Sequence, residues 1–112
     1  MAHDLDRARE RLLAKRAALV EEDRQSEADR APVALDQESV GRLSRIDAMQ
    51  VQAMALAAQR RRAQERDRID AALRRIDDGD YGWCVTCGEE IAPARLAHAP
   101  EAPTCLTCAR GD

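Results

Sequence analysis

Apolar positions recur at helical spacing along most of the chain. Leu5, Leu12 and Leu19 fall seven residues apart, and Ala8, Leu13, Ala17 and Val20 widen the stripe they make. No Pro or Gly interrupts the span from Asp4 to Ala28, so the pattern predicts one helix of about 38 Å. It ends near Asp29-Arg30-Ala31-Pro32, because Pro32 disfavours helix in the residue before it. A second helix is predicted from about Gln37 to Asp78, about 63 Å long, with Asp36 as its N-cap. Val40, Leu43, Ile46 and Met54 open its apolar face, alanines continue it, and Ile69, Leu73 and Ile76 complete it. Gly41 near the start costs about 1 kcal/mol against alanine. Gly79 is placed to stop the helix as a C′ residue, although Asp77 and Asp78 oppose its dipole.

Two such helices joined by a short connection form an antiparallel hairpin. The expected fold is therefore all-α dominated. A helical hairpin or coiled coil occupies residues 1–78, with its tip at about 29–42, and a small module occupies 79–112. The shorter arm pairs with only part of the longer one. The remainder, roughly residues 64–78, is expected to pack Ile69, Leu73 and Ile76 on Tyr81, Trp83, Ile91 and Leu96.

Composition narrows this picture. The chain has 112 residues, enough for one small domain or a module on an extended arm. It has no Phe, one Trp and one Tyr, so a conventional core is hard to build, and much of its 45% hydrophobic content is alanine. Charged residues make up 35% with the signs intermixed, as on the surface of a long solvated helix. The charged N-terminus has no signal-peptide core and no run is apolar enough to span a membrane, so a cytoplasmic protein is expected.

The stretch from Gln59 to Arg68 holds five arginines against two acids. Arg60, Arg61 and Arg62 are candidates for contact with an acidic protein or with nucleic acid. The same residues also read as a solvated face carrying Arg61–Glu65 and Arg66–Asp70 pairs. A net charge of −3 and the absence of stacking aromatics here argue against a general nucleic-acid binder.

The chemistry lies at the other end. Cys84/Cys87 and Cys105/Cys108 form two CxxC pairs with seventeen residues between them, the spacing of a four-thiolate zinc site. Gly88 follows the first pair, where a tight knuckle favours a residue that tolerates positive φ. Two disulfides would need an oxidising compartment, and a thioredoxin-like centre would use one CxxC, not two symmetrical pairs. Four thiolates close the coordination shell, so the zinc is expected to be structural; His98 between the pairs reads as a surface residue. With no Gly-rich phosphate loop and no nucleophile with a recognisable base, no enzymatic activity is expected.

The segment Tyr81-Gly82-Trp83-Cys84-Val85-Thr86-Cys87-Gly88-Glu89-Glu90-Ile91, followed by Pro93, Arg95-Leu96, Pro100 and Cys105-Leu106-Thr107-Cys108, resembles the C4-type zinc finger of the DksA/TraR family. The resemblance implies a short DksA-like regulator that binds bacterial RNA polymerase directly, without recognising DNA sequence. In that family the coiled coil enters the secondary channel with its tip towards the catalytic centre, and the archetype works with ppGpp. The archetype's Asp-x-x-Asp-x-Ala tip motif is absent here, and Asp36 and Glu38 are the candidate acidic tip groups, which also read as a cap and a solvated turn. The alternative is a zinc-stapled helical module that binds another protein or nucleic acid and has no secondary-channel activity.

Overall fold

The computed structural model describes residues 4–32 and 42–111. Helix α1 runs from Leu5 to Gln25, α2 from Glu27 to Arg30, α3 from Arg42 to Asp78, α4 from Pro93 to His98 and α5 from Leu106 to Ala109. Helices α1 and α3 form the antiparallel hairpin, and among the described residues the only sheet-like pairing is an isolated bridge between Trp83 and Glu90. The molecule measures 65 × 31 × 20 Å, and its radius of gyration of 19.3 Å exceeds the about 13 Å of a compact chain this long.

Helix boundaries follow local chemistry. The Asp4 carboxylate caps α1 by accepting from the Arg7 amide at 3.1 Å. The first helix does not run unbroken to Ala28, as its periodicity predicts, but breaks at Ser26. There the Asp23 carbonyl accepts from the Ser26 hydroxyl at 3.2 Å and from the Arg30 guanidinium at 2.6 Å. These side-chain bonds compete with the helical ladder. Ala31 is extended before Pro32, the expected effect of the proline. Helix α3 ends at Asp78 as predicted: Gly79 has φ +81°, its amide donates to the Ile76 carbonyl, and that of Asp80 to Arg75. This pair of bonds is a Schellman motif. The expected cap at Asp36 and the start of the second helix at Gln37 lie outside the described residues, as does Gly41.

The hairpin seam differs from the predicted one in two ways. Only Ala8, Leu12 and Leu19 of α1 are buried; Leu13 and Val20 are exposed, so the stripe is narrower. The pairing also runs opposite to expectation. Arg9 meets Asp77, Arg16 meets Asp70 and Gln52 reaches the Ala31 carbonyl, so α1 covers the C-terminal part of α3, including 64–78. The part of α3 that projects past α1 is its beginning, where Ile46, Met49 and Val51 are exposed. The connection at Gly79 explains this: an antiparallel partner placed beside the zinc module must begin packing at the C-terminal end of α3.

One core joins the hairpin to the C-terminal module. Ala8, Leu12, Leu19, Ile69, Ala72 and Ile76 pack with Tyr81, Cys84, Ile91, Leu96 and Ala102, and Leu73 lies partly buried against them. Trp83, expected in this cluster, is 42% exposed. Its backbone pairs with Glu90, and strand geometry turns alternate side chains outward, leaving Cys84 inside and Trp83 outside.

Leu12 is fully buried, so Leu12→Ala is expected to destabilise the fold by about 2–5 kcal/mol in urea unfolding. Val20→Ala, on the exposed flank, is expected to stay within about 0.5 kcal/mol of wild type.

Candidate metal centre

Two backbone knuckles present the cysteines. In the first, the Cys84 amide donates to the Glu89 carbonyl at 2.8 Å and the Gly88 amide to the Cys84 carbonyl at 2.9 Å, with Gly88 at φ +77°. A side chain at 88 would meet no neighbour, so the left-handed backbone alone selects glycine here. The second knuckle opens α5, where the Ala109 amide donates to the Cys105 carbonyl at 2.9 Å. A bond from the Val85 amide to the Pro103 carbonyl, 2.9 Å, ties the knuckles together.

This framework brings all four predicted ligands to one point. The sulfurs of Cys84, Cys87, Cys105 and Cys108 lie within 4.8 Å of one another. Those of Cys87 and Cys105 are 3.8 Å apart. Zinc–sulfur bonds of about 2.3 Å give a tetrahedron with edges of about 3.8 Å, so the donor set fits one zinc ion. Four sulfurs leave no open position, which makes the centre structural. His98 is exposed at the end of α4 and is not among the grouped ligands.

The thiols differ in acidity. Amide donors, that of Cys87 first, draw Cys84 down to about 6. Hydrogen bonding to its sulfur neighbours, Cys105 first, pushes Cys108 up to about 12; at Cys87 the Glu89 amide pulls downward, but the Cys84 sulfur and desolvation outweigh it and the thiol is raised. Amides aimed at a sulfur favour its thiolate, whereas crowded sulfurs resist ionising together until a cation neutralises them.

Residues 79–112 match the family described as prokaryotic dksA/traR C4-type zinc finger. The C-terminal module is a DksA/TraR zinc finger. The RNA polymerase-binding transcription factor DksA of Haemophilus influenzae is 44% identical over 41 residues, which cover 37% of this chain and 28% of that protein. The factor of the same name from Caulobacter vibrioides is 54% identical over 35 residues, covering 31% of this chain and 25% of its relative. These matches thus span well under two thirds of the curated relatives. The structure of transcription factor DksA2 from Pseudomonas aeruginosa superposes with a TM-score of 0.72 at 27% identity, covering 96% of this chain and 81% of that one.

The zinc finger is fastened to α1 by polar contacts that sequence periodicity did not reveal. Lys15 donates to both carboxylate oxygens of the buried Glu101 at 2.8 Å and stands 3.8 Å from Glu65. Arg11 donates to the carbonyls of Leu96, at 3.3 Å, and Ala97, while the Tyr81 hydroxyl donates to that of Pro100 at 2.8 Å. The available signal was Glu101 itself, an acid set within Ala99-Pro100-Glu101-Ala102-Pro103.

The arginine candidates separate. Arg60 and Arg61 are exposed on α3. Arg61 lines an open groove of about 670 Å³ between α1 and α3, together with Lys15, Glu22, Glu65 and Arg68. Arg62 lines the same groove but is half-buried and turns its guanidinium into the hairpin, donating to Asp23 at 2.5 Å and to the Ser26 hydroxyl at 3.0 Å. Across the same seam Arg66 pairs with Asp23 and Asp70 with Arg16, so these acids and bases pair between helices and not along α3. Asp36 and Glu38 lie outside the described residues.

Metal analysis is expected to find one zinc per chain, lost in Cys105→Ser. At pH 7 zinc uptake is expected to release about two protons or more, since the raised Cys87 and Cys108 must ionise to bind. Calorimetry in buffers of different ionisation enthalpy measures this directly. Lys15→Met leaves Glu101 buried without its cation and is expected to cost about 1–3 kcal/mol in thermal unfolding of the zinc-loaded protein.

Proposed function

We propose that this chain is a DksA-type transcription factor that binds bacterial RNA polymerase through its secondary channel, zinc finger outermost and hairpin tip leading. The observation that carries the reading is the likeness to DksA2, which extends over 96% of the chain and so includes the hairpin as well as the finger. The physical form suits the task. A narrow channel admits a slender rigid arm, and here a 37-residue helix projects from a base closed by a metal centre. No helix among the described residues is long and apolar enough to cross a membrane.

In this reading the zinc finger does no chemistry. It orients the hairpin, the acidic groups Asp36 and Glu38 act at the tip, and ppGpp modulates the outcome. A second reading has a specific observation in its favour: Arg60 and Arg61 are exposed on the flank of α3. They supply a cationic face to an acidic partner that never admits the tip into a channel.

Fluorescently labelled, zinc-loaded protein is expected to bind core RNA polymerase at micromolar affinity or better and to be displaced by a secondary-channel factor. Asp36→Asn/Glu38→Gln is expected to abolish the transcriptional effect while retaining binding. Binding that resists displacement and disappears in Arg60→Gln/Arg61→Gln would instead establish the flank as the docking face.

A further inference from the structure

The two halves of the hairpin are held by different forces. Near the zinc finger, Leu12, Leu19, Ile69, Ala72 and Ile76 form an apolar seam. Beyond Leu19 on α1 and before Ile69 on α3, the described residues include no fully buried apolar side chain. What joins the helices there is a polar hub. The Asp23 carboxylate accepts from Arg62 through one oxygen and from Arg66 through the other. The hydroxyl of Ser26, in the break between α1 and α2, accepts from Arg62 at 3.0 Å and from Arg30 at 3.2 Å. Arg30 also takes the Asp23 carbonyl, so the direction in which the chain leaves α1 is tied to the same cluster. The side chains of Asp23 and Arg62 retain only 16% and 13% exposure, which shields their pairing from solvent.

We infer that Asp23 is a positioning residue for polymerase engagement: by bridging Arg62 and Arg66 it aligns the distal arm where apolar packing has run out. This deepens the proposed function and rests on it. Two guanidiniums, those of Arg62 and Arg66, converge on the single side-chain carboxylate of Asp23, while Arg30 takes its backbone carbonyl. Asparagine at 23 keeps the shape but offers one accepting oxygen and turns an amide donor towards a guanidinium. Without the bridge, the bonds that still hold the distal segment to α3 are those from Arg62 to the Ser26 hydroxyl and from Gln52 to the Arg30 and Ala31 carbonyls, none of which engages a carboxylate.

The test compares zinc-loaded wild type with Asp23→Asn, Asp23→Ser and Asp23→Glu, using Arg16→Gln as a control pair on the apolar half of the seam. Amide hydrogen exchange at residues 21–31 is expected to rise about tenfold or more in Asp23→Asn and Asp23→Ser, with residues 8–19 and the zinc content unchanged. Affinity for core RNA polymerase is expected to fall about tenfold in the same two variants, to return in Asp23→Glu and to be unchanged in Arg16→Gln. Unaltered exchange at 21–31 would overturn the hub as the fastening of the arm. Faster exchange with full polymerase affinity would overturn the positioning role. Failure of the wild type itself to bind polymerase would remove the reading beneath the inference, and the exchange data would still decide what Asp23 holds.

Discussion

Convergence of four thiolates on one point is the constraint on which the rest of the structure depends. The segment after α3 has little regular structure: two short helices, a single bridge and several turns. Its backbone could not hold this path by hydrogen bonds alone. A zinc ion bound by four sulfurs supplies on the order of 10–16 kcal/mol of apparent binding energy in small fingers. Because Cys84 belongs both to the metal site and to the apolar core, that energy is felt beyond the finger. Tyr81, Ile91 and Leu96 are thereby presented to Leu12, Ile69 and Ile76, and the base of the hairpin acquires a core that its alanine-rich helices could not make between themselves.

From that base outward, apolar burial gives way to charge. Lys15 and Glu101 sit where finger and hairpin meet, Arg16 and Asp70 midway along the seam, and Asp23 with its arginines furthest out. The Arg16–Asp70 pair is well exposed and contributes little. Glu101 and Asp23 are largely withdrawn from water, so their partners matter more. Arg62 and Arg66 hold the Asp23 carboxyl below the usual carboxylate range, and Arg16 does the same for Asp70. Depressed carboxyl pKa values stabilise the fold at neutral pH and cease to do so as acidification proceeds through the folded-state values. The outer hairpin is therefore the more sensitive part to charge and salt, while the base depends on metal and apolar packing.

Much of the architecture was legible along the chain, for reasons that are local. The CxxC pairs named the four ligands, since two-residue spacing within each pair suits a metal knuckle. Gly79 marked the end of the long helix, because a left-handed residue there permits the Schellman bonds. Pro32 marked the end of the first arm. Ser26 did not announce its break: serine is common enough within helices, and here the break depends on Arg30 and Arg62 reaching the same point. Trp83 was misplaced for a similar reason. It was expected to meet Ile69, Leu73 and Ile76, but the bridge to Glu90 decides which face of the chain meets the core.

The sequence by itself determined the helical arms, the stop signals and the donor set of the metal, because each follows from residue types a few positions apart. Only the tertiary structure decided which stretch of α3 is covered by α1, which arginines face solvent and which face Asp23. Helical periodicity specifies a face but not an axial register, and a long arginine can bond along its own helix or across to another with similar geometry. That choice is made where the zinc finger meets the hairpin. Once Lys15 reaches Glu101 and Leu12 enters the core, Arg16 falls beside Asp70 and Asp23 beside Arg62 and Arg66.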